Sequence, residues 1–399
     1  MTAVEPADFL GLAHLAKRAF DAEDLTDLRS ELIDRMFDEP KNAGVLMDLS
    51  IIEQLTGSQA DGMALLHRAL AKGRVFRRPA KGAPSLRMLA LMAPGDFMAN
   101  TPLEFMLDGS DVQLDLAYVL PGQALPELPE HDLLFVAVGE SEENQPILAA
   151  LQEPVKAWPK PVVNRPQRIA ELSRDGSYRL LHDAPGIVIP PTARIDRAGF
   201  SRIALGEAPP GAVLGGHDFP IIARPIGSHA GEGLLKLDDA KAALAYLQGR
   251  PEAEFFISPF VNYLSPDGLF RKYRVAVIDG RAFPSHGAFS SHWMIHYLNA
   301  GMRESPEKRA EEARWMATFD EGFAQRHEAA IAALTERVGL DYFALDCGET
   351  PDGKLLIFEV DVAMIVHAMD PPEIFPYKAP EMARLFDAFR DMLRKRQRS

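Results

Sequence analysis

Over the first eighty-odd residues the apolar positions recur at three- and four-residue steps: Leu10, Leu12, Leu15 and Ala16, then Leu28, Leu32, Ile33 and Met36, then Leu65, Leu66 and Leu70. That spacing gathers each set on one face of a helix. The stretch closes in a basic run, Arg74, Arg77, Arg78 and Lys81. We read residues 1–84 as a helical N-terminal region that caps the next domain, with a partner-binding module as the other reading. At Ser85 the period changes. Leu86–Met92 and Leu133–Val138 are apolar runs of strand length, Val112–Leu120 reads as a strand by the alternation of Leu114, Leu116 and Tyr118, and Val162-Val163 is a shorter run. Between them come Pro94-Gly95, a helix start at Ala99-Asn100-Thr101-Pro102, and a helix ending near Leu151. Alternating strand and helix predicts a parallel sheet with helices on its faces, over residues 85–190.

From Ile187 the pattern shifts again, with Pro190-Pro191 as a boundary. Phe219–Pro225, Phe255–Val261 and Tyr273–Ile278 read as strands, Glu307–Leu340 as one long helical region, and Pro380–Arg396 as a C-terminal helix. Between the last two, Asp341–Asp346 and Leu355–Asp361 flank the turn Thr350-Pro351-Asp352-Gly353-Lys354, which predicts an antiparallel hairpin. A third domain therefore covers residues 191–399.

A chain of 399 residues exceeds what one core serves, in keeping with two or three domains. With 47% hydrophobic and 25% charged residues it has the composition of a soluble globular protein. A net charge of -14 argues against a nucleic-acid-binding surface. The single cysteine, Cys347, excludes an internal disulfide and a cysteine-based metal cluster, and its apolar neighbours mark it as a core thiol. No apolar run approaches the roughly 20 residues of a membrane span, and Met1–Pro6 is too short and acidic for a signal peptide. A cytoplasmic protein is expected.

The chemistry concentrates in the last domain. Glu359 and Asp361 stand two apart on a strand, so both point to one face, and Asp346 across the hairpin would add a third carboxylate. Carboxylates gathered on an apolar surface repel one another unless a cation neutralises them, which suits magnesium or manganese sharing its ligands with a polyphosphate. Upstream, Arg224 sits on a strand before the glycine-rich Ile226–Leu234 segment, whose backbone N–H groups can wrap phosphate oxygens. That segment lacks the Gly-Lys-Ser/Thr ending of a Walker loop, and Met92–Phe97 does not match the dinucleotide fingerprint. Arg271-Lys272-Tyr273-Arg274 places Lys272 and Arg274 on one strand face, where an arginine suits bidentate oxyanion binding. His286, His292 and His296 follow, the last pair spaced for one helix face, but no HExxH motif accompanies them and zinc is not expected.

In this order, strand cation, glycine-rich loop, Arg-bearing strand, long helix and Asp plus Glu-x-Asp hairpin, residues 85–380 resemble the ATP-grasp superfamily, in its glutathione-synthetase and ribosomal-modification-ligase branch. The resemblance implies an α/β and α+β architecture: the helical N-terminal segment, a Rossmann-like domain before the ATP-grasp unit, then a two-subdomain ATP-grasp fold holding ATP between its halves. It implies that Arg224 contacts the phosphates where the family usually has lysine, and that Gly227, Ser228, His229, Gly231 and Gly233 form the loop that closes over them. Ser258, Phe260 and Val261 match the linker whose backbone reads adenine, and Arg274 the arginine that stabilises an acyl phosphate. Asp346, Glu359 and Asp361 take the metal-ligand places, with Asp361 where the family commonly has Asn. Asn164-Arg165-Pro166 resembles the turn that leads into the nucleotide domain.

The function so implied is an ATP-dependent carboxylate–amine ligase, using ATP and Mg2+ or Mn2+, with a small-molecule or peptide carboxylate and an amine as partners and neither nucleic acid nor membrane. Lys272, His286, His292, Trp293, His296 and Tyr297 are the substrate-pocket candidates. An ATP-grasp-type kinase, and a non-catalytic ATP-binding scaffold working through its N-terminal helices, are the alternatives. A homodimer and a partner for those helices are left open.

Overall fold

The computed structural model describes residues 5–228 and 231–398. Its first sheet has six strands: β1 (Ala7–Asp8), β2 (Val75–Arg78), β3 (Leu86–Met92), β4 (Val112–Tyr118), β5 (Leu133–Val136) and β6 (Val162–Val163), in the order β1-β2-β4-β3-β5-β6. The central strands β4, β3, β5 and β6 are parallel, as the alternation predicted. Both faces are covered, which is why β3 is apolar at every position but Arg87. Leu89 and Leu91 pack toward helix Gln145–Lys156, while Met88 and Ala90 pack toward the N-terminal helices.

Those helices are α1 (Leu12–Phe20), α2 (Thr26–Asp38), α3 (Ala43–Leu55) and α4 (Gln59–Lys72). They do cap the sheet, but the segment is not purely helical. β1 and β2 extend the sheet, and β2 runs antiparallel to β4. Within the basic run, Arg77 on β2 forms a two-pronged ion pair with Asp115 of β4, at 2.6 and 2.8 Å.

Beneath α1 lies Glu104, whose Oε2 is buried without a hydrogen-bond partner and 3.6 Å from Arg78. Burial raises its pKa to about 7, against a partial opposing pull from Arg78. The native state thus keeps a proton that the unfolded chain releases near pH 4.5. This contribution is complete below that value and fades as pH rises through about 7. Glu104→Gln should flatten that fall in melting temperature relative to the parent, a difference of up to about 3 kcal/mol. Equal pH profiles for the two proteins would refute the assignment.

The chain next forms β7 (Ile187–Val188), β8 (Ala193–Asp196), β9 (Ile221–Pro225), β10 (Leu235–Leu237) and β11 (Glu254–Pro259). β10-β9-β11-β8 make a four-stranded antiparallel sheet. Alternation along β9 and β11 sends Ile221, Ala223, Phe255 and Ile257 into a core under helices Arg197–Ala204 and Ala240–Gln248. β12 (Phe270–Ile278), β13 (Arg281–Ser290), β14 (Tyr342–Glu349) and β15 (Leu355–Asp361) form the third sheet with β7, in the order β13-β12-β14-β15-β7. The predicted β14–β15 hairpin is present, and Cys347 is fully buried in it. The 307–340 region is two helices, Pro306–Ala317 and Glu328–Val338, joined through a π-helical stretch at Asp320–Ala324.

Asn164 fastens the first sheet to the third. It is fully buried with a φ of 56°, a left-handed conformation that Asn tolerates better than most residues. Its amide group donates to the Tyr342 carbonyl at 2.8 Å and accepts from the Asp341 and Tyr342 N–H groups at 3.0 Å. Asn164→Ala orphans these three backbone groups and should lower stability by about 3 kcal/mol, read as a fall in the urea midpoint. A midpoint unchanged by the substitution would show that the sheets are joined by other contacts.

Candidate active site

The second and third sheets face each other across a cavity of about 850 Å³. On β9 and β11 the residues left out of the core, Ile222, Arg224, Phe256 and Ser258, line one side. On the other side the register of the third sheet builds a row. His286, Arg274, Asp346 and Glu359 are successive cross-strand neighbours on β13, β12, β14 and β15. Directly opposed residues of an antiparallel sheet share a face, so the four side chains line the cavity together.

Asp346 is 3% exposed and doubly paired. The Arg274 guanidinium grips it at 2.8 and 3.0 Å, and the Lys272 ammonium lies 2.7 Å away. Burial by itself would raise its pKa, but the charges of Arg274 and then Lys272 hold the carboxyl far below the usual carboxylate range. A third Arg274 nitrogen donates to the Ile365 carbonyl at 3.0 Å. The alternation argument for Lys272 and Arg274 is correct, but their partner is the carboxylate expected to hold metal.

Glu359 is bound by Arg174, at 2.5 Å, from helix Arg174–Leu181. Asp361 is pushed up to about 7, by burial first and then by the Glu359 charge beside it. Across the cavity Arg224 is 7% exposed and drawn down to about 9, by burial and then by the neighbouring Arg174 charge. It donates to the Ser228 hydroxyl at 3.1 Å and to the Ser228 carbonyl. Two guanidiniums and two carboxylates, each pair internally repulsive, thus meet at one place.

The three carboxylates expected to hold a metal are differently placed. Asp346 is already neutralised by two cations, and among the described residues no group of three His, Cys, Asp or Glu side chains is arranged as a ligand set. Glu359 and Asp361 remain as a repelling carboxylate pair, which fits a divalent ion that takes its other ligands from phosphate oxygens.

Gly227, Ser228 and Gly231 line the cavity, and Gly227 and Gly231 have φ of 77° and 80°, which their lack of a side chain permits. Gly233 stands back from the cavity, where its carbonyl accepts from Tyr246 at 2.8 Å. His229 lies outside the described residues. Ser258, Phe260 and Val261 all border the cavity, and the Phe260 ring sits edge-on to Trp293 at 5.7 Å.

Of the substrate candidates, Lys272, His286, Trp293, His296 and Tyr297 border the cavity, whereas His292 is exposed and does not. His292 and His296 share no helix face either, because the segment bends without helix until the short turn Tyr297–Asn299. Burial and then the Arg274 charge hold His286 well below an ordinary histidine, so its ring is neutral. It packs 4.5 Å from the Tyr297 ring. Tyr297 accepts a hydrogen bond from Lys378, which also bonds Asp370 at 2.9 Å and lies 3.3 Å from fully buried Glu312.

Arg174, His367, Asp370 and the cavity-facing side of α1 were not found by sequence reasoning. Arg174 follows the N-cap Ser173, whose hydroxyl accepts from Gly176 N–H, and only the cap signal was available to place it. Its partner lies 185 residues away in sequence.

No protein-family model matches the chain, and no curated protein matches it. Among solved structures it is similar to a D-alanine–D-alanine ligase from Bacillus anthracis complexed with ATP, at 14% identity and a TM-score of 0.47, over 78% of this chain and 97% of that one. It is likewise similar to a RimK domain ATP-grasp protein from Sphaerobacter thermophilus, at 16% identity and a TM-score of 0.43, over 77% and 99%. A D-alanine–D-alanine ligase from Coxiella burnetii gives 12% identity and a TM-score of 0.48, over 79% and 96%.

Proposed function

We propose that this protein is an ATP-dependent ligase that joins a carboxylate to an amine, with ADP and phosphate as by-products. The observation that carries the reading is the meeting of Arg174 and Arg224 with Glu359 and Asp361 between two opposed sheet faces, beside Gly227, Ser228 and Gly231. Repelling cations beside repelling carboxylates describe a place for a polyphosphate anion and its counter-ion. Glu359 and Asp361 would hold a magnesium or manganese ion, which supplies neutralisation of phosphate charge.

In this reading Arg224 and the loop N–H groups bind the phosphates, and the Phe260–Val261 segment borders the base. The terminal phosphoryl group passes to a substrate carboxylate oxygen, ADP leaves, and an acyl phosphate remains. Arg274 uses three of its five N–H groups on Asp346 and Ile365, so two remain for the oxygens of that intermediate. The amine then bonds to the acyl carbon, the C–O bond to phosphate breaks, and the amine proton passes to solvent or phosphate. Neutral His286 and the Lys378-bound Tyr297 shape the wall where the incoming substrate stands.

The test is ADP release by the purified protein over a panel of carboxylic acids, amino acids and short peptides, with mass analysis of products. A product equal to acid plus amine less water supports the ligase. A stable phosphorylated product would transfer the reading to a kinase, and absence of magnesium-dependent ATP binding would remove both.

A further inference from the structure

The cavity has a second, differently built end. Residues Val362–Asp370 leave β15, pass Arg274 and reach the N-terminal helices. The Ile365 carbonyl accepts from Arg274 at 3.0 Å, while the Ile365 side chain packs on Ala13, Ala16 and Phe105. Two residues on, the His367 ring lies 5.9 Å from Phe20 and 6.2 Å from Phe105. α1 contributes Ala16, Ala19 and Phe20 to the lining, and Met369 borders the same end. One short segment therefore links the guanidinium that faces the reacting centre to an apolar wall.

The polar groups of this end are already answered. Asp370 is paired with Lys378 at 2.9 Å. His367 Nδ1 accepts from the Met369 N–H at 3.1 Å, and burial lowers the ring to about 4, so it is neutral at ordinary pH. A small polar substrate at Arg274 would leave the α1 wall in contact with water. A ligand whose carboxylate meets Arg274 and whose remainder covers that wall removes this exposure.

We propose that the carboxylic acid used by this site carries an extended apolar body, alkyl or aryl, that lies along α1 with its carboxylate beside Arg274; this rests on the ligase reading above. The N-terminal helices then set substrate selectivity, and α1 closes the far end of the site.

Titration calorimetry on the full chain, without nucleotide, with acetate, butyrate, hexanoate, octanoate and 3-phenylpropanoate tests this, with ATP binding measured in parallel. Affinity should rise by up to about fourfold per added methylene, the ratio that corresponds to burying one CH2 group. Ala19→Trp, which fills the arm, should weaken octanoate at least tenfold, and Phe20→Ser should flatten the chain-length trend. The melting transition of each variant reports folding, and the trend in the parent protein stands without either variant. A flat series, tighter binding of glutamate than of hexanoate, or an unaltered trend in both folded variants overturns the proposal. If ATP fails to bind while the trend holds, the apolar arm stands and the ligase reading falls. If ATP binds and the trend is flat, the arm falls alone.

Discussion

Glu359→Gln should lower ATP turnover at least a hundredfold, on the order of what one electrostatic group facing a transferring phosphoryl is worth. The amide keeps the shape of the side chain and discards its charge. Arg174, now 2.5 Å from Glu359, would lose its counter-charge, and Asp361 would lose the neighbour that helps raise its pKa. Stability should hardly change, because the Glu359 side chain is 35% exposed and an ion pair so placed contributes at most about 1 kcal/mol. The measurement is ADP release at saturating magnesium, beside the urea midpoint. Turnover retained in a folded variant would remove Glu359 from the reacting centre and with it the case for a metal at β15.

Sequence pattern was legible where a period could speak. The largely apolar stretches of β3 and β5 and the alternation in β4 were recognisable as strands of a parallel sheet, and the Thr350–Lys354 turn announced the β14–β15 hairpin. β13 was not found, because Pro284 and the Ser285-His286-Gly287 sequence look like a break in a strand, although nine of its ten residues pair with β12, Ser285 being passed over at a bulge opposite Arg274 and Val275. β1 and β2 were missed because they are two and four residues long and sit at the ends of helical periods. At the site, period-two alternation correctly set Lys272 beside Arg274 and Glu359 beside Asp361. It could not tell what each would meet. Counting three acids in a hairpin suggested three ligands, whereas cross-strand register put a cation against one of them. Long-range partners such as Arg174 leave no local trace at all.

Asp346→Asn should be the most destabilising of the substitutions considered, by about 3–5 kcal/mol, because it removes one partner of a buried ion pair and keeps the others. The replacement has nearly the same volume, so a cavity contributes nothing to the effect. What changes is charge: Arg274 and Lys272, with side chains 18% and 21% exposed, would face each other over a neutral amide. The same change puts an NH2 donor in place of one of the two oxygens that hold the Arg274 fork at 2.8 and 3.0 Å, so the guanidinium is held less firmly in its place. Turnover should therefore fall together with the urea midpoint, unlike Glu359→Gln, where turnover falls alone. A metal-ligand role predicts another pattern: an intact midpoint and a raised magnesium requirement. A normal midpoint in Asp346→Asn would overturn the ion-pair role, and the contrast between the two variants separates the carboxylate that orients Arg274 from those that would hold the ion.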